Sequence, residues 1–255
     1  MTILAGRLSP QLAACLGEGR VHSVFHRVVN LVFQERMLTL AHPELPLMPD
    51  TLRLSPAGID AALALRQDQP VCWQEGILQP LGLELNPTQW LATPHTPPRL
   101  TAAYLKQMES ACQSVQEPCG FDRLPTKWQE KARKALADYA LALWAGEDGE
   151  PAIRSVIGLG PGATPSADDG VLAISALYET VKISFSSDLL AGTSAISAKY
   201  LLNAENGFYS DPLTALVKEP TPETARALAA CGATSGKDML YALCLASRQI
   251  LQEVF

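Results

Sequence analysis

The sequence predicts an α+β chain, with a small β-rich N-terminal part over residues 1–95 and a helical part over residues 96–255. Three observations carry this. The first hundred residues hold short β-branched and aromatic runs separated by prolines, residues 92–98 (ATPHTPP) read as a linker, and beyond them apolar residues recur at helical spacing among Ala, Leu and Lys.

In order along the chain, residues 21–33 (VHSVFHRVVNLVF) place Val21, Phe25, Val29, Leu31 and Phe33 on one period-2 face, which predicts a single bent strand. Residues 36–41 and 51–54 read as short strands around the proline-rich HPELPLMPD. An alanine-rich helix follows over 56–66, then a strand over 77–85. Helical spacing returns over 100–112 and 127–144, the latter with Ala132, Leu136, Tyr139, Ala140 and Leu143 on one face. The glycines at 146–149 end that helix, and 153–157 reads as a short strand or turn.

Residues 158–170, GLGPGATPSADDG, form the densest functional signal. Alternating glycines supply backbone conformations closed to other residues, and prolines fix φ. Ser166 and Asp169 have the S-x-x-D spacing of a capping box. Free N–H groups beside a positive helix end are a place for an anion. The pattern is neither G-x-x-x-x-G-K-[ST] nor G-x-G-x-x-G, so no nucleotide signature is present. Its bland reading is a well-capped helix after a tight loop.

Val171, Ile174, Tyr178 and Val181 then form one helical stripe. Another helix covers 193–203, where Thr193 and Ser197 share a face near Lys199 and offer hydroxyls and a cation to an anion, or simply allow close helix contact. Asn206-Gly207 is a C-cap turn, and Thr221-Pro222-Glu223 opens a helix. A second glycine motif, Gly232-Ala233-Thr234-Ser235-Gly236-Lys237-Asp238, repeats the Gly-Ala-Thr entry before an apolar helix over 239–254. The two loops are expected to face each other across one anion site.

A net charge of −6 and the lack of a Lys/Arg cluster argue against nucleic acid as the main partner. No apolar run approaches the roughly 20 residues of a membrane span, and no signal-peptide pattern appears, so a cytoplasmic protein is expected. The six cysteines lack C-x-x-C or zinc spacing and are expected to be free thiols. His22 and His26, about 13 Å apart if on one strand face, are too distant to share a metal. His42 and His95 lie in proline-rich loops without an evident partner.

The block GLGPGATPSADDGVL, the following TSAISAKYLLNAENGF and the late GATSGKDML resemble, in order and spacing, the AllH-like family, which includes the AllH subunit associated with bacterial oxamate carbamoyltransferase. The resemblance is specific over about residues 150–250 and follows only the outline of the N-terminal half, chiefly RVHSVFHRVVNLVF. It implies a component of an enzyme of purine and allantoin catabolism that converts oxalurate and phosphate into oxamate and carbamoyl phosphate together with other subunits. On the motif, Gly160, Gly162, Thr164, Ser166, Asp168, Asp169, Thr234, Ser235, Gly236 and Asp238 carry over. The chain departs from the family pattern at Ala163, Ala167 and Ala233.

Acyl transfer between anions needs N–H donors, hydroxyls and a cation where charge gathers. The loops offer the donors, and Lys237 and Arg154 are the available cations. Asp169 is expected to cap its helix, leaving Asp168 to contact substrate or Mg²⁺. Asp168 and Lys237 are the candidate catalytic residues; Thr193 and Ser197 join the loop residues as candidate substrate contacts. Two rival functions remain at this level. A magnesium-dependent nucleotide phosphotransferase would need an adenine pocket that no motif announces, and a non-catalytic subunit would use the loops only to bind a ligand or partner.

Overall fold

The structure, a computed structural model, describes residues 1–180 and 183–255. It contains two compact units, Met1–Thr93 and Pro94–Phe255. The architecture is α+β, a curled N-terminal sheet followed by helices.

The first unit runs β1 (Ile3–Arg7), α1 (Pro10–Cys15), β2 (Glu18–Val24), β3 (Val28–Phe33), β4 (Arg36–Ala41), β5 (Thr51–Leu54), α2 (Pro56–Leu63), β6 (Pro70–Gln74), β7 (Ile77–Gln79) and β8 (Leu83–Glu84). These strands form one sheet in the order β1-β5-β4-β3-β2-β6-β7-β8. All neighbours are antiparallel except β4 and β5. Alternating side chains make its core, with Val21, Leu31, Phe33, Leu38, Leu40 and Leu52 buried against Leu12 and Ile59 of the two helices.

Residues 21–33 are a hairpin rather than one bent strand. Val21 pairs with Leu31 and Val24 with Val29 across the turn. Folding back pairs the backbone groups of β2 and β3 with each other while both strands keep their apolar face inward, which one long strand would leave to other partners. His22 therefore sits on β2, hydrogen-bonded to Ser23, and His26 in the turn, so the two do not share a strand. Likewise residues 77–85 hold the hairpin β7–β8. Strands β1 and β6 and helix α1 have sequence patterns too short to stand out from the loops around them.

The second unit contains α3 (Ala102–Gln113), α4 (Thr126–Ala145), α5 (Glu150–Ile153), α6 (Ser166–Ser175), α7 (Ser187–Leu190), α8 (Ala195–Ala204), α9 (Asp211–Lys218), α10 (Pro222–Ala229) and α11 (Ser235–Glu253). Residues 153–157 prolong α5 as turns, so the strand alternative there is set aside. Helix α11 is central and packs on α3, α4, α6 and α10. Its buried Leu243, Ala246 and Ile250 join Leu136 and Tyr139 of α4 and Val171 and Ile174 of α6 in one core. Tyr178 follows α6 in a turn and donates to the Ala140 carbonyl at 2.8 Å. Val181, the fourth member of the expected stripe, lies outside the described residues.

Both loop histidines find partners: His42 bonds Arg27, and His95 bonds the Ala176 carbonyl at 3.1 Å. All six cysteines are free, and burial pushes the thiols of Cys119 and Cys231 up to about 11. Protonated thiols of this kind are poor nucleophiles.

Glu150 ties the start of α5 to the start of α7. Its Oε2 accepts from the Ser186 amide at 2.6 Å, and its Oε1 from the Ser186 hydroxyl at 2.7 Å and from Arg154. Replacing Glu150 with alanine is expected to cost about 2 kcal/mol, the scale of orphaning a partly buried donor pair. A urea melt unchanged from wild type would show that water replaces the carboxylate at no cost.

Candidate functional site

The glycine loop runs from α5 to α6. Gly158, Gly160 and Gly162 all have positive φ, and at Gly160 an added Cβ would lie 2.3 Å from the Ser166 amide nitrogen. Only glycine lets the loop fold this closely over the start of α6. Pro161, Gly162 and Ala163 are exposed, and the amides of Gly160, Gly162, Ala163 and Thr164 have no protein acceptor among the described residues. The loop thus presents bare donors at its surface.

The second glycine motif lies beside it. The Thr164 and Ser235 hydroxyls are 2.7 Å apart, joining two loops separated by 71 residues of chain. Both side chains are half-buried, so this contact sits at the edge of the protein rather than in its core.

The first turns of α6 and α11 are largely occupied within the chain, with only the Ser166 and Ser235 amides lacking an acceptor among the described residues. In α6, Ala167 donates to the Leu159 carbonyl, and Asp168 and Asp169 donate to that of Pro165. In α11, Gly236 donates to Cys231, and Lys237 and Asp238 to Thr234. These buried amides are satisfied within the chain, leaving the loop amides and hydroxyls as available donors.

The expected capping box is also absent. Pro165 is the N-cap of α6 and Ser166 is already helical, so the Ser166 hydroxyl is placed one residue too late to cap. Of the two aspartates it is Asp168 that satisfies backbone. Its Oδ1 accepts from the Gly158 amide at 2.7 Å, and its Oδ2 from the Thr193 hydroxyl. Burial raises the Asp168 pKa, while bonds from Thr193, Gly158 and Ser197 counteract the rise. Thr193 and Ser197, at the start of α8, therefore face a carboxylate of the chain itself. Ser194 closes the same corner by donating to the Ala163 carbonyl.

Asp169 and Asp238 are both buried, at 3% and 0% exposure. Asp238 Oδ1 accepts from the amides of Gly120 at 2.7 Å and Phe121 at 3.2 Å. Burial pushes the carboxyl of Asp169 well above its usual range; the nearby hydroxyls of Ser235 and Thr164 ease it, and the charges of Asp238 and Asp168 add to it. Burial likewise raises Asp238, eased by Ser166 and by the two amides. The involvement of residues 119–121 had no sequence signal, because nothing in that short turn marks it as a neighbour of α11.

Lys237 pairs with Glu117 at 2.9 Å and bonds the Ala233 carbonyl at 3.3 Å. Arg154 pairs with Glu150. Gly236 is packed against α10, and Thr234 is the N-cap of α11 without a side-chain capping bond. No group of three His, Cys, Asp or Glu side chains able to hold a metal occurs among the described residues. No helix among them is long and apolar enough to cross a membrane.

Comparison with known proteins adds two matches. Residues 3–89 match the family model described as AllH family N-terminal domain, and residues 156–247 match the one described as Oxamate carbamoyltransferase subunit AllH. No curated protein and no solved structure matches the chain significantly.

Proposed function

The chain belongs to the AllH family of oxamate carbamoyltransferase subunits, and on that premise we propose that its two glycine loops bind the anionic substrates of carbamoyl transfer. The reaction is the phosphorolysis of oxalurate: a phosphate oxygen attacks the terminal carbamoyl carbon, the bond to the inner nitrogen breaks, and that nitrogen takes up a proton to leave as oxamate. Carbamoyl phosphate is the other product. The observation that carries the reading is the Thr164–Ser235 contact, which sets two hydroxyls beside a loop of unpaired amides. Such donors, fixed before the reaction, suit a phosphate or carboxylate and the charge that develops on the attacked carbonyl.

In this reading Gly160, Gly162 and Thr164 supply amides, and Thr164 and Ser235 supply hydroxyls. Asp168 holds the loop to Thr193 and so acts as a positioning residue. The Lys237 and Arg154 side chains are engaged by Glu117 and Glu150, which supports a site that gains its countercharge from another subunit. A chain that only binds ligand for a catalytic partner would use the same loop.

The test is calorimetric titration of the full chain with phosphate, carbamoyl phosphate, oxamate, oxalurate and ATP, followed by activity assays with the partner subunits. Thr164→Val and Ser235→Ala are each expected to weaken anion binding by about 1 to 2 kcal/mol, roughly 5- to 30-fold. Unchanged affinity in both variants would remove the loops from the site. Tight binding of ATP alone would favour nucleotide phosphotransfer instead.

A further inference from the structure

Three buried oxygens near the two loops, Ser166 Oγ, Asp169 Oδ2 and Asp238 Oδ2, make no hydrogen bond of good geometry. Ser166 and Asp238 are fully buried and Asp169 is 3% exposed. We propose that these three side chains form a binding site for one hard divalent cation of the Mg²⁺ class, set between the starts of α6 and α11.

Convergence is the first argument. A Cβ placed on Gly120 would lie 2.2 Å from Ser166 Oγ and 2.7 Å from Asp238 Oδ2, so both oxygens face the same small volume over residue 120. Asp238 cannot turn away, because its other oxygen is held by the Gly120 and Phe121 amides. That is how outer-shell bonds commonly orient a ligand carboxylate. Ser166 is a second indicator: a buried hydroxyl is normally bonded, and this one lies beside the Asp238 carboxylate without a hydrogen bond of good geometry.

Charge is the second argument. Asp168, Asp169 and Asp238 are buried together, close enough that the first and last act electrostatically on Asp169. No ion pair reaches them among the described residues, and the lysine nearest in sequence, Lys237, is turned to Glu117. Two helix starts offset about half a charge each, which leaves roughly two negative charges. Buried charge without a countercharge is strongly disfavoured and is relieved by proton uptake or by a cation; at neutral pH a divalent ion removes the deficit.

Ligand type is the third. All donors are oxygens, which suits Mg²⁺, Mn²⁺ or Ca²⁺ and not the softer metals. Two carboxylates and a hydroxyl leave coordination positions for water, as Mg²⁺ prefers. The site is separate from the proposed anion site in its ligands, since Thr164, Ser235 and the loop amides are not among them, although the Thr164 and Ser235 hydroxyls lie beside Asp169.

The experiment uses the full chain, stripped with chelator, in a buffer free of phosphate and carboxylates. Circular dichroism follows its thermal melt as MgCl₂ is added, with KCl at matched ionic strength as control and Mn²⁺ binding measured by electron paramagnetic resonance. Expected is a saturable rise, about 5 °C at a hundredfold excess over Kd, with one Mn²⁺ bound per chain. Asp169→Asn should fold yet lose the rise and the bound Mn²⁺, and Ser166→Ala should weaken binding about tenfold. If Asp169→Asn does not fold, Asp238→Asn, which keeps an acceptor for both amides, takes its place. A wild-type melt flat in Mg²⁺, Mn²⁺ and Ca²⁺ overturns the proposal, as does a carboxylate variant that keeps the full response. Loss of anion binding in Thr164→Val with the cation response intact would separate this site from the loops above it.

Discussion

Gly236→Ala is expected to lower the melting temperature of the helical unit by about 6 °C or more, corresponding to roughly 3 kcal/mol. A Cβ there would lie 1.8 Å from the Leu228 carbonyl oxygen, 2.7 Å from its carbon and 3.2 Å from Ala229 Cα. All three are backbone atoms of α10, so no side-chain rotation relieves the clash and the helices must part. Ser235→Ala, one residue earlier and half-buried, is the control, with a loss of about 1 kcal/mol at most. The structural prediction fails if the two variants melt together. The result matters for function because Gly236 belongs to the second motif, and this packing sets where Ser235 meets Thr164.

In chelator, the wild-type protein is expected to become more stable as pH is lowered from neutrality toward the ordinary carboxylate range. Burial raises the carboxyls of Asp168, Asp169 and Asp238 above their ordinary 3.8. Between 3.8 and the raised values the folded chain binds more protons than the unfolded one, so stability falls as pH rises through that window. Each tenfold gain in proton affinity is worth about 1.4 kcal/mol, and three groups act in the same direction.

Glu150 opposes them only at lower pH. Burial acts to raise its pKa, but bonds from Ser186 and Arg154 outweigh that and hold it below 4.5, so its contribution is lost as pH drops through the lowered value. Asp169→Asn should flatten the pH dependence and, without metal, melt above wild type at pH 7, because a neutral amide replaces an unpaired buried charge. Saturating Mg²⁺ should reverse that order. Thermal melts at pH 5, 6 and 7 in chelator decide it: a wild-type melting point that falls steadily from 7 to 5 would mean these carboxyls are not protonated early.

Patterns contained within one element were legible from the chain. Strands β4 and β5 and the long helices α4 and α11 follow from alternation or helical spacing, since burial of one face is periodic in a regular element. The change from strand to helix near residue 95 has the same origin, and both glycine motifs announced themselves through composition. Hairpins were harder. Residues 21–33 keep a consistent inward face on both arms, so alternation alone does not mark the turn.

The roles of the aspartates could not be read locally. Whether Asp168 or Asp169 satisfies backbone depends on which residue begins α6, and a shift of one position rotates a helical side chain by about 100°. That placed Asp168 toward Gly158 and Thr193, and Asp169 inward toward Asp238. The sequence by itself determined the α+β order of the chain and the residues of two donor-rich loops, because propensity and periodicity act over neighbouring residues. Only tertiary structure decided that Thr164 meets Ser235 across 71 residues, that Gly120 closes over Ser166 and Asp238, and that Lys237 turns to Glu117. Those contacts depend on how α6 and α11 pack, and helix packing is fixed by the shape of the whole core rather than by any local run of residues.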